Sequence, residues 1–384
     1  MAEKDIGSTG QIRYEKAAMV VSYAARTHTG LIREENEDDF IVLEPEGVFV
    51  VADGMGGHNA GRLASSICVK TVRSFFVEAI PADGEVINTQ KETLQPESFA
   101  LATSFLAANR AIFECSLEES TNAGMGTTVV GLRVLPRRVG VAHVGDSRCY
   151  LFRDGRLRQV TEDHSLSNHL FALGKREEAQ VAQVVYSNVI VRALGLDPSV
   201  QVDVREEILR EGDVLLLCSD GLSDLVSRDV IEETLGRLAE DEKTLEDIVD
   251  TLTARALEAG GRDNITAILL RVDRMGSGFD AMEDHVTQPT ARGGARVTLS
   301  SQNPAFQAAA ELREEAASAE QGDAAAEEEV DAEAAADEAA AADEAAAADE
   351  AAAADEAAVA DEAAVADEAA AADEAAAADE DDRA

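Results

Sequence analysis

The chain has 384 residues, a formal net charge of −43, 46% apolar residues and only 4% aromatic residues. That length admits one large or two small domains, the apolar content suffices for a core, and the absence of clustered basic residues excludes the electrostatic footprint of a nucleic-acid binder. The charge is uneven: more than half of it falls in residues 311–384, where only Arg313 and Arg383 are basic.

Residues 1–17 are polar and are expected to be a flexible N-terminus. Met19, Val21 and Tyr23 alternate as in a strand, and a loop at Thr29-Gly30 leads to a strand at Phe40–Leu43. Glu44-Pro45-Glu46-Gly47 then turns the chain into Val48–Ala52, an apolar run typical of a buried strand. Leu63, Ile67, Val72 and Phe76 recur at the spacing of one helix face over about 59–79. After a loop from Pro81 to Pro96, Leu101, Phe105, Ala108, Ile112 and Phe113 form the stripe of a second helix. Thr127–Leu135, Val139–Val144, Cys149–Arg153 and Leu157–Val160 read as strands, the last two joined through Asp154-Gly155, a hairpin dipeptide. Residues 162–190 are polar with short helical pieces. Val200–Ile208 and Asp213–Cys218 are strands, two helices follow at about 229–239 and 244–259, and Ile265–Val272 is a closing strand.

Strands joined by short hairpins mean antiparallel sheets, so the fold class is α+β: two packed antiparallel sheets flanked by helix pairs, an αββα sandwich with a low-complexity tail. The organisation predicted is a flexible N-terminus at 1–17, a catalytic domain over 18–273, a linker over 274–310 and an acidic Ala/Asp/Glu repeat over 311–384. In that repeat an Asp-Glu pair recurs every six residues from Asp337 to Asp379. Six residues advance about 240° around a helix, so no apolar seam survives and a coiled coil is excluded. The tail is expected to be partly helical or disordered, and everything after Val272 to be dispensable for catalysis.

Nothing at the N-terminus resembles an apolar leader, and no stretch approaches the ~18 apolar residues that span a bilayer. A cytoplasmic protein without membrane contact is expected. Cys68, Cys115, Cys149 and Cys218 lie in apolar contexts without CxxC spacing, as buried reduced thiols do.

Four aspartates stand where strands meet turns: Asp53, Asp146, Asp220 and Asp263. If those ends converge, several carboxylates meet, and like charges that close require a neutralising cation. Asp53 opens Asp53-Gly54-Met55-Gly56-Gly57-His58, whose glycines allow close backbone approach and free a carbonyl for coordination. No P-loop lysine follows it. Asp83-Gly84 and Asp154-Gly155 read as plain turns. Arg33 precedes Glu37 and Asp38 and has the fork that suits phosphate oxygens, although an arginine in an acidic stretch also makes ordinary ion pairs. His143 and His164 read as packing or hydrogen-bonding residues.

Taken together, R-x-x-N-E-D at 33–38, D-G-M-G-G-H at 53–58, G-M-G-T-T at 124–128, G-D-S-R at 145–148, T-E-D-H-S-L at 161–166, R-A-L-G at 192–195, C-S-D-G-L at 218–222 and G-R-D-N-I-T at 261–266 resemble the metal-dependent protein phosphatases of the PPM (type 2C) family, in the bacterial serine/threonine style. The resemblance covers residues 19–273. It implies that Asp53 bridges two manganese or magnesium ions, with the Gly54 carbonyl on one of them. It also implies that Asp220 and Asp263 complete the first ion's shell, that Glu37 and Asp38 act through water, and that Asp146 with Asp220 can hold a third, weaker ion. Arg33 would bind the substrate phosphate, Asn264 would orient Asp263, and 165–190 would be a flap. The animal branch places a histidine directly after the Asp-Gly pair; here that position is Met55, and His58 is the general acid by type.

Two close cations lower the pKa of a bridging water and align it for in-line attack on phosphorus. Oxygen ligands favour magnesium or manganese over zinc. The implied substrates are proteins phosphorylated on serine or threonine, with a cognate eukaryotic-like kinase as counterpart and a monomeric state. The alternative is a scaffold or regulator whose acidic tail binds a partner, the phosphatase serving one signalling substrate.

Overall fold

The computed structural model describes residues 5–14, 19–56, 60–78, 86–88, 94–186, 189–240, 243–276 and 295–299. All fall within Met1–Arg313, the first of two units; the acidic repeat, Asp83-Gly84 and His58 lie outside the described residues.

The first strands are β1 (Asp5–Tyr14), β2 (Met19–His28), β3 (Asp38–Leu43) and β4 (Val48–Met55). Helix α1 (Ala60–Val77), the short β5 (Val86–Asn88) and α2 (Pro96–Glu118) come next. Strands β6 (Gly126–Leu135), β7 (Arg138–Val144), β8 (Arg148–Arg153) and β9 (Arg156–Gln159) follow, then α3 (Leu166–Ala172) and α4 (Arg176–Val185). The remainder is β10 (Val202–Ile208), β11 (Val214–Cys218), α5 (Asp220–Ser223), α6 (Arg228–Gly236), α7 (Leu245–Glu258), β12 (Ile265–Arg274) and β13 (Ala295–Leu299).

One sheet has the order β1-β2-β12-β11-β8-β9 and the other β3-β4-β6-β7-β10-β13-β5. Neighbouring strands pair antiparallel, as the hairpin pattern requires. Period-two alternation sorts the side chains into three cores. Phe49, Val51, Val130, Leu132, Leu215, Leu217, Ile268 and Leu270 fill the space between the sheets. Val48, Val50 and Ala52 face α1 and α2, while Leu216, Cys218 and Leu269 face α6 and α7. Each layer therefore buries an apolar stripe on both of its faces, and the α+β sandwich expected from the sequence is the one found.

Three segments depart from expectation, one of them β5, which lies inside the stretch from Pro81 to Pro96 expected to be a loop. Residues 5–14 are not a flexible end: they form β1, paired along its length with β2. As an edge strand it buries Ile12 between the sheets while its neighbours Gln11 and Arg13 are exposed, so its sequence looks polar. The stretch beyond Val272 is not only a linker. Ala295 and Val297 are fully buried on β13, which pairs with β10 on one side and β5 on the other. Five residues of alternating pattern in a Gly/Ser/Thr-rich setting reveal a strand only when the edge of β10 that they cover is known.

Candidate metal centre

The inter-sheet faces stay apolar until the strands approach one end of the sandwich, where the same alternating positions become polar. On β4, Phe49 and Val51 give way to Asp53; on β3, Val42 and Phe40 give way to Asp38. On β2 the series ends at Thr27, on β12 at Thr266, and after β11 at Ser219. Asp38 and Asp53 are direct cross-strand partners, and Asp53 lies opposite Thr128 of β6. Asp146 follows β7, Asp220 starts α5 immediately after β11, and Asp263 precedes β12. One sheet thus supplies Asp38, Asp53 and Asp146, the other Asp220 and Asp263.

The carboxylates feel one another. Burial, then Asp38, Asp220, Asp146 and Asp263 push the Asp53 carboxyl well above its ordinary range. Burial, then Asp146 and Asp224 push Asp220 up to about 8. Asp38 is pushed up to about 6 by burial, and Asp146 to about 6 by burial and Asp163. Burial also raises Glu37.

Asp38 is fixed by a directed chain of hydroxyls. Its Oδ2 accepts from Ser219 Oγ (2.8 Å) and Thr266 Oγ1 (2.6 Å). Thr266 Oγ1 must then accept from Thr27 Oγ1 (2.7 Å), which accepts from Asn36 Nδ2 (2.9 Å). Every proton in that chain points toward Asp38. Its other oxygen, Oδ1, and Oε1 of Glu37 are buried without a hydrogen-bond partner, a costly state for an anionic oxygen.

Asn264 does more than stand beside Asp263. Its backbone N–H donates to Asp263 Oδ1 (2.8 Å), while its side chain donates to the carbonyls of Thr29 and Glu35 (2.9 Å each) and accepts from Glu37 N–H (2.8 Å). It clips the segment carrying Arg33 and Glu37 to β12. Arg33 Nη2 donates to Asp263 Oδ2 (2.9 Å), yet its side chain stays 47% exposed, leaving guanidinium surface facing solvent. Gly54 lies so close to Gly61 O and Glu37 O that a Cβ there would collide with backbone, and its N–H donates to Glu37 O (3.2 Å).

Beside these groups opens a polar cleft of about 590 Å³, lined by Asp146, Asp220, Asp224, Asp263, Arg148 and Arg262 among others. Arg148 is engaged by Asp163 (Nε and Nη2 at 2.9 and 2.7 Å) and offsets Asp146 and Asp224 only in part, since both stay raised.

The structure therefore brings together Arg33, Glu37, Asp38, Asp53, Gly54, Asp146, Asp220 and Asp263. Among the described residues, no three His, Cys, Asp or Glu side chains close into a tight cage around one point. The convergence is looser, with oxygen donors around a shared space. That donor set, with its two orphaned oxygens and mutually repelling carboxyls, fits hard divalent cations that keep part of their water. Sequence reasoning missed the supporting hydroxyls of Thr27, Ser219 and Thr266 and the cleft residue Asp224. The signal for the hydroxyls was present in the alternation, because each extends an inward-facing stripe by one step.

A family profile described as protein phosphatase 2C matches residues 29–269. The serine/threonine phosphatase stp of Listeria monocytogenes is 36% identical over 261 residues, 67% of this chain and 98% of that protein. The serine/threonine protein phosphatase PstP of Mycobacterium tuberculosis is 33% identical over 67% of this chain and 46% of its own length. Among solved structures, the Mycobacterium tuberculosis phosphatase PstP/Ppp matches with a TM-score of 0.56 at 32% identity, over 66% of this chain and 99% of that one. The PstP catalytic domain in complex with two manganese ions matches with a TM-score of 0.54 at 33% identity, over 67% of this chain and all of that one.

Proposed function

The chain belongs to the protein phosphatase 2C family, and from that premise we propose that it hydrolyses phosphoserine and phosphothreonine in proteins with the help of divalent cations held by Asp53, Asp220, Asp263 and the Gly54 carbonyl. The observation that carries the reading is Asp38: one oxygen is locked by two hydroxyl donors, the other is buried without a partner beside Asp53. Such a carboxylate is oriented for a positive charge or for water held by one.

When bound, the cations neutralise the carboxyls, polarise the phosphoryl oxygens and supply a water of lowered pKa at neutral pH. The chain's own residues do the rest. Asp53 and Asp220 are kept at fixed strand ends, so their charges need no rearrangement as the reaction proceeds. Glu37 and Asp38 accept hydrogen bonds from water in the site through their free oxygens. Arg33 uses the exposed part of its fork on the substrate phosphate, and its bond to Asp263 holds it in place. His58 gives a proton to the departing serine or threonine oxygen, as a protonated imidazole can. Asp53, Asp220, Asp263 and the Gly54 carbonyl would hold two ions, manganese or magnesium, and Asp146 with Asp220 would hold a third, weaker one. The enzyme acts as a monomer in the cytoplasm, opposite a eukaryotic-like kinase.

The test is hydrolysis of a phosphothreonine peptide with manganese added or chelated, paired with calorimetric titration of manganese into metal-free protein. Metal-dependent phosphate release with at least two bound ions is expected. Equal turnover in excess chelator would end the proposal.

A further inference from the structure

The turn that presents Asp146 is clamped from one residue away. Gly145 N–H donates to His164 Nδ1 (2.9 Å), and His164 N–H donates to Gly145 O (3.0 Å). Gly145 has φ +106, and a Cβ on it would meet Thr128 Cβ at 2.5 Å, so this turn accepts only glycine and has little room to shift. An amide N–H can only donate, so Nδ1 of His164 is the acceptor in this bond. On the other side of the ring Arg192 Nη1 lies 2.9 Å from His164 Nε2 and donates to Asp203 Oδ1 (2.8 Å), which itself stands 3.7 Å from Nε2. His143, cross-strand partner of Asp203, stacks on His164 with ring centroids 4.7 Å apart.

Asp203 is the second residue of β10, and β10 has two neighbours. On one side lies β7; on the other lies β13, where Val297, Arg296 and Ala295 pair with Val202, Asp203 and Val204. Ala295 and Val297 are buried in the same core as Val202 and Val204, Arg296 Nε lies 3.5 Å from Asp203 Oδ1, and Thr298 Oγ1 donates to Val200 O (3.0 Å). An ion pair as exposed as that of Arg296 contributes little alone. Pairing and burial contribute more: β13 converts β10 from an edge strand into an interior one.

We propose that His164, Arg192 and Asp203 are positioning residues for Asp146, and that β13, which lies beyond the family-matched residues 29–269, keeps them in register. The inference rests on Asp146 serving a cation position in the reading above. It also revises the expectation that everything after Val272 is dispensable: residues up to 299 are required, and those after 310 are not.

Four proteins are compared with the full chain: one ending at residue 310, one ending at Arg274, and full-length His164→Ala and His164→Asn. Manganese binding is followed by calorimetry, and kcat and KM by hydrolysis of p-nitrophenyl phosphate across manganese concentrations. Outer supports of metal ligands typically change affinity by about 10–100-fold. The chain ending at 310 should match the full chain. The chain ending at Arg274 and His164→Ala should weaken the weaker class of manganese sites about tenfold and lower kcat, with the tight class and KM unchanged within about twofold. Asparagine places an Oδ1 where histidine has Nδ1 and still accepts from Gly145 N–H, so His164→Asn should recover part of the loss. Unchanged weak-site affinity in both the Arg274 chain and His164→Ala overturns the proposal, as does a His164→Asn protein no better than His164→Ala. If the Arg274 chain fails to fold, the full-length His164 pair decides. An Asp53→Asn protein that retained turnover would instead refute the phosphatase reading, while the calorimetric comparison would still judge the clamp.

Discussion

The two sides of the acidic centre are built by different means. On one side Asp38 and Asp53 face each other across β3 and β4, and a buried chain of hydroxyls and an amide aims every available proton at Asp38. On the other, Asp146, Asp220 and Asp224 line an open cleft, and the nearby Arg148 is held by Asp163. The first side fixes its oxygens before any ligand arrives. The second leaves room for water and for a substrate to enter. A site that must hold ions firmly yet exchange phosphate and product benefits from this division, since rigid donors set position while an open flank admits substrate and water.

Asp53→Asn tests the closed side most severely. It removes a charge that Asp38, Asp146, Asp220 and Asp263 all feel, and loss of such an electrostatic group should cut kcat by about a thousandfold or more. Manganese-dependent hydrolysis of an aryl phosphate and circular dichroism on the same sample check it; near-normal turnover by a folded variant contradicts the assignment. Thr266→Val keeps the shape but removes a donor to Asp38 and interrupts the hydroxyl chain. Metal affinity should fall about 10–100-fold. On the open side, Asp224→Asn has no comparable framework to disturb and should change metal affinity by only about threefold, within the range of a partly solvated charge. If the Thr266 and Asp224 variants proved equal, the division into a fixed and an open side would be wrong.

How far this centre could be read in advance depends on the kind of residue. The strand-end aspartates were legible because an apolar run that stops at Asp-Gly marks both the element and its rim, as at Val48–Gly54 and Leu215–Gly221. The central strands of both sheets and the helix pair α1–α2 followed from periodicity and turn residues. The hydroxyls were harder. Thr27, Ser219 and Thr266 are ordinary strand residues by composition, and their role exists only because β2, the end of β11 and the start of β12 lie side by side. The strands β1 and β13 were hidden for a related reason. A strand at or next to a sheet edge needs only one or two inward apolar residues, here Ile12 on β1 and Ala295 with Val297 on β13, and its identity is set by the neighbours it pairs with.

A further predicted effect concerns stability without metal, and it separates the groups by sign. Asp220 is held at about 8, above its ordinary 3.8, so the folded protein binds a proton there that the unfolded chain has already lost. Stability from such a group is present at low pH and is lost as pH rises through the raised value. Asp53 acts in the same direction. His143 opposes them: burial and His164 hold it down to about 3 from 6.5, so its effect appears as pH falls below 6.5. Between pH 6.5 and 8 the aspartates act alone. At roughly 1.4 kcal/mol per proton per pH unit, one proton over that interval corresponds to about 2 kcal/mol, or a melting temperature lower by about 4–6 °C at the alkaline end. Saturating magnesium should abolish the slope, because a bound cation replaces the proton. Asp220→Asn should flatten it in metal-free protein and raise the melting temperature at pH 8. A metal-free wild-type protein whose melting temperature is level across this interval would mean that the carboxyls are farther apart, or wetter, than the strand ends place them.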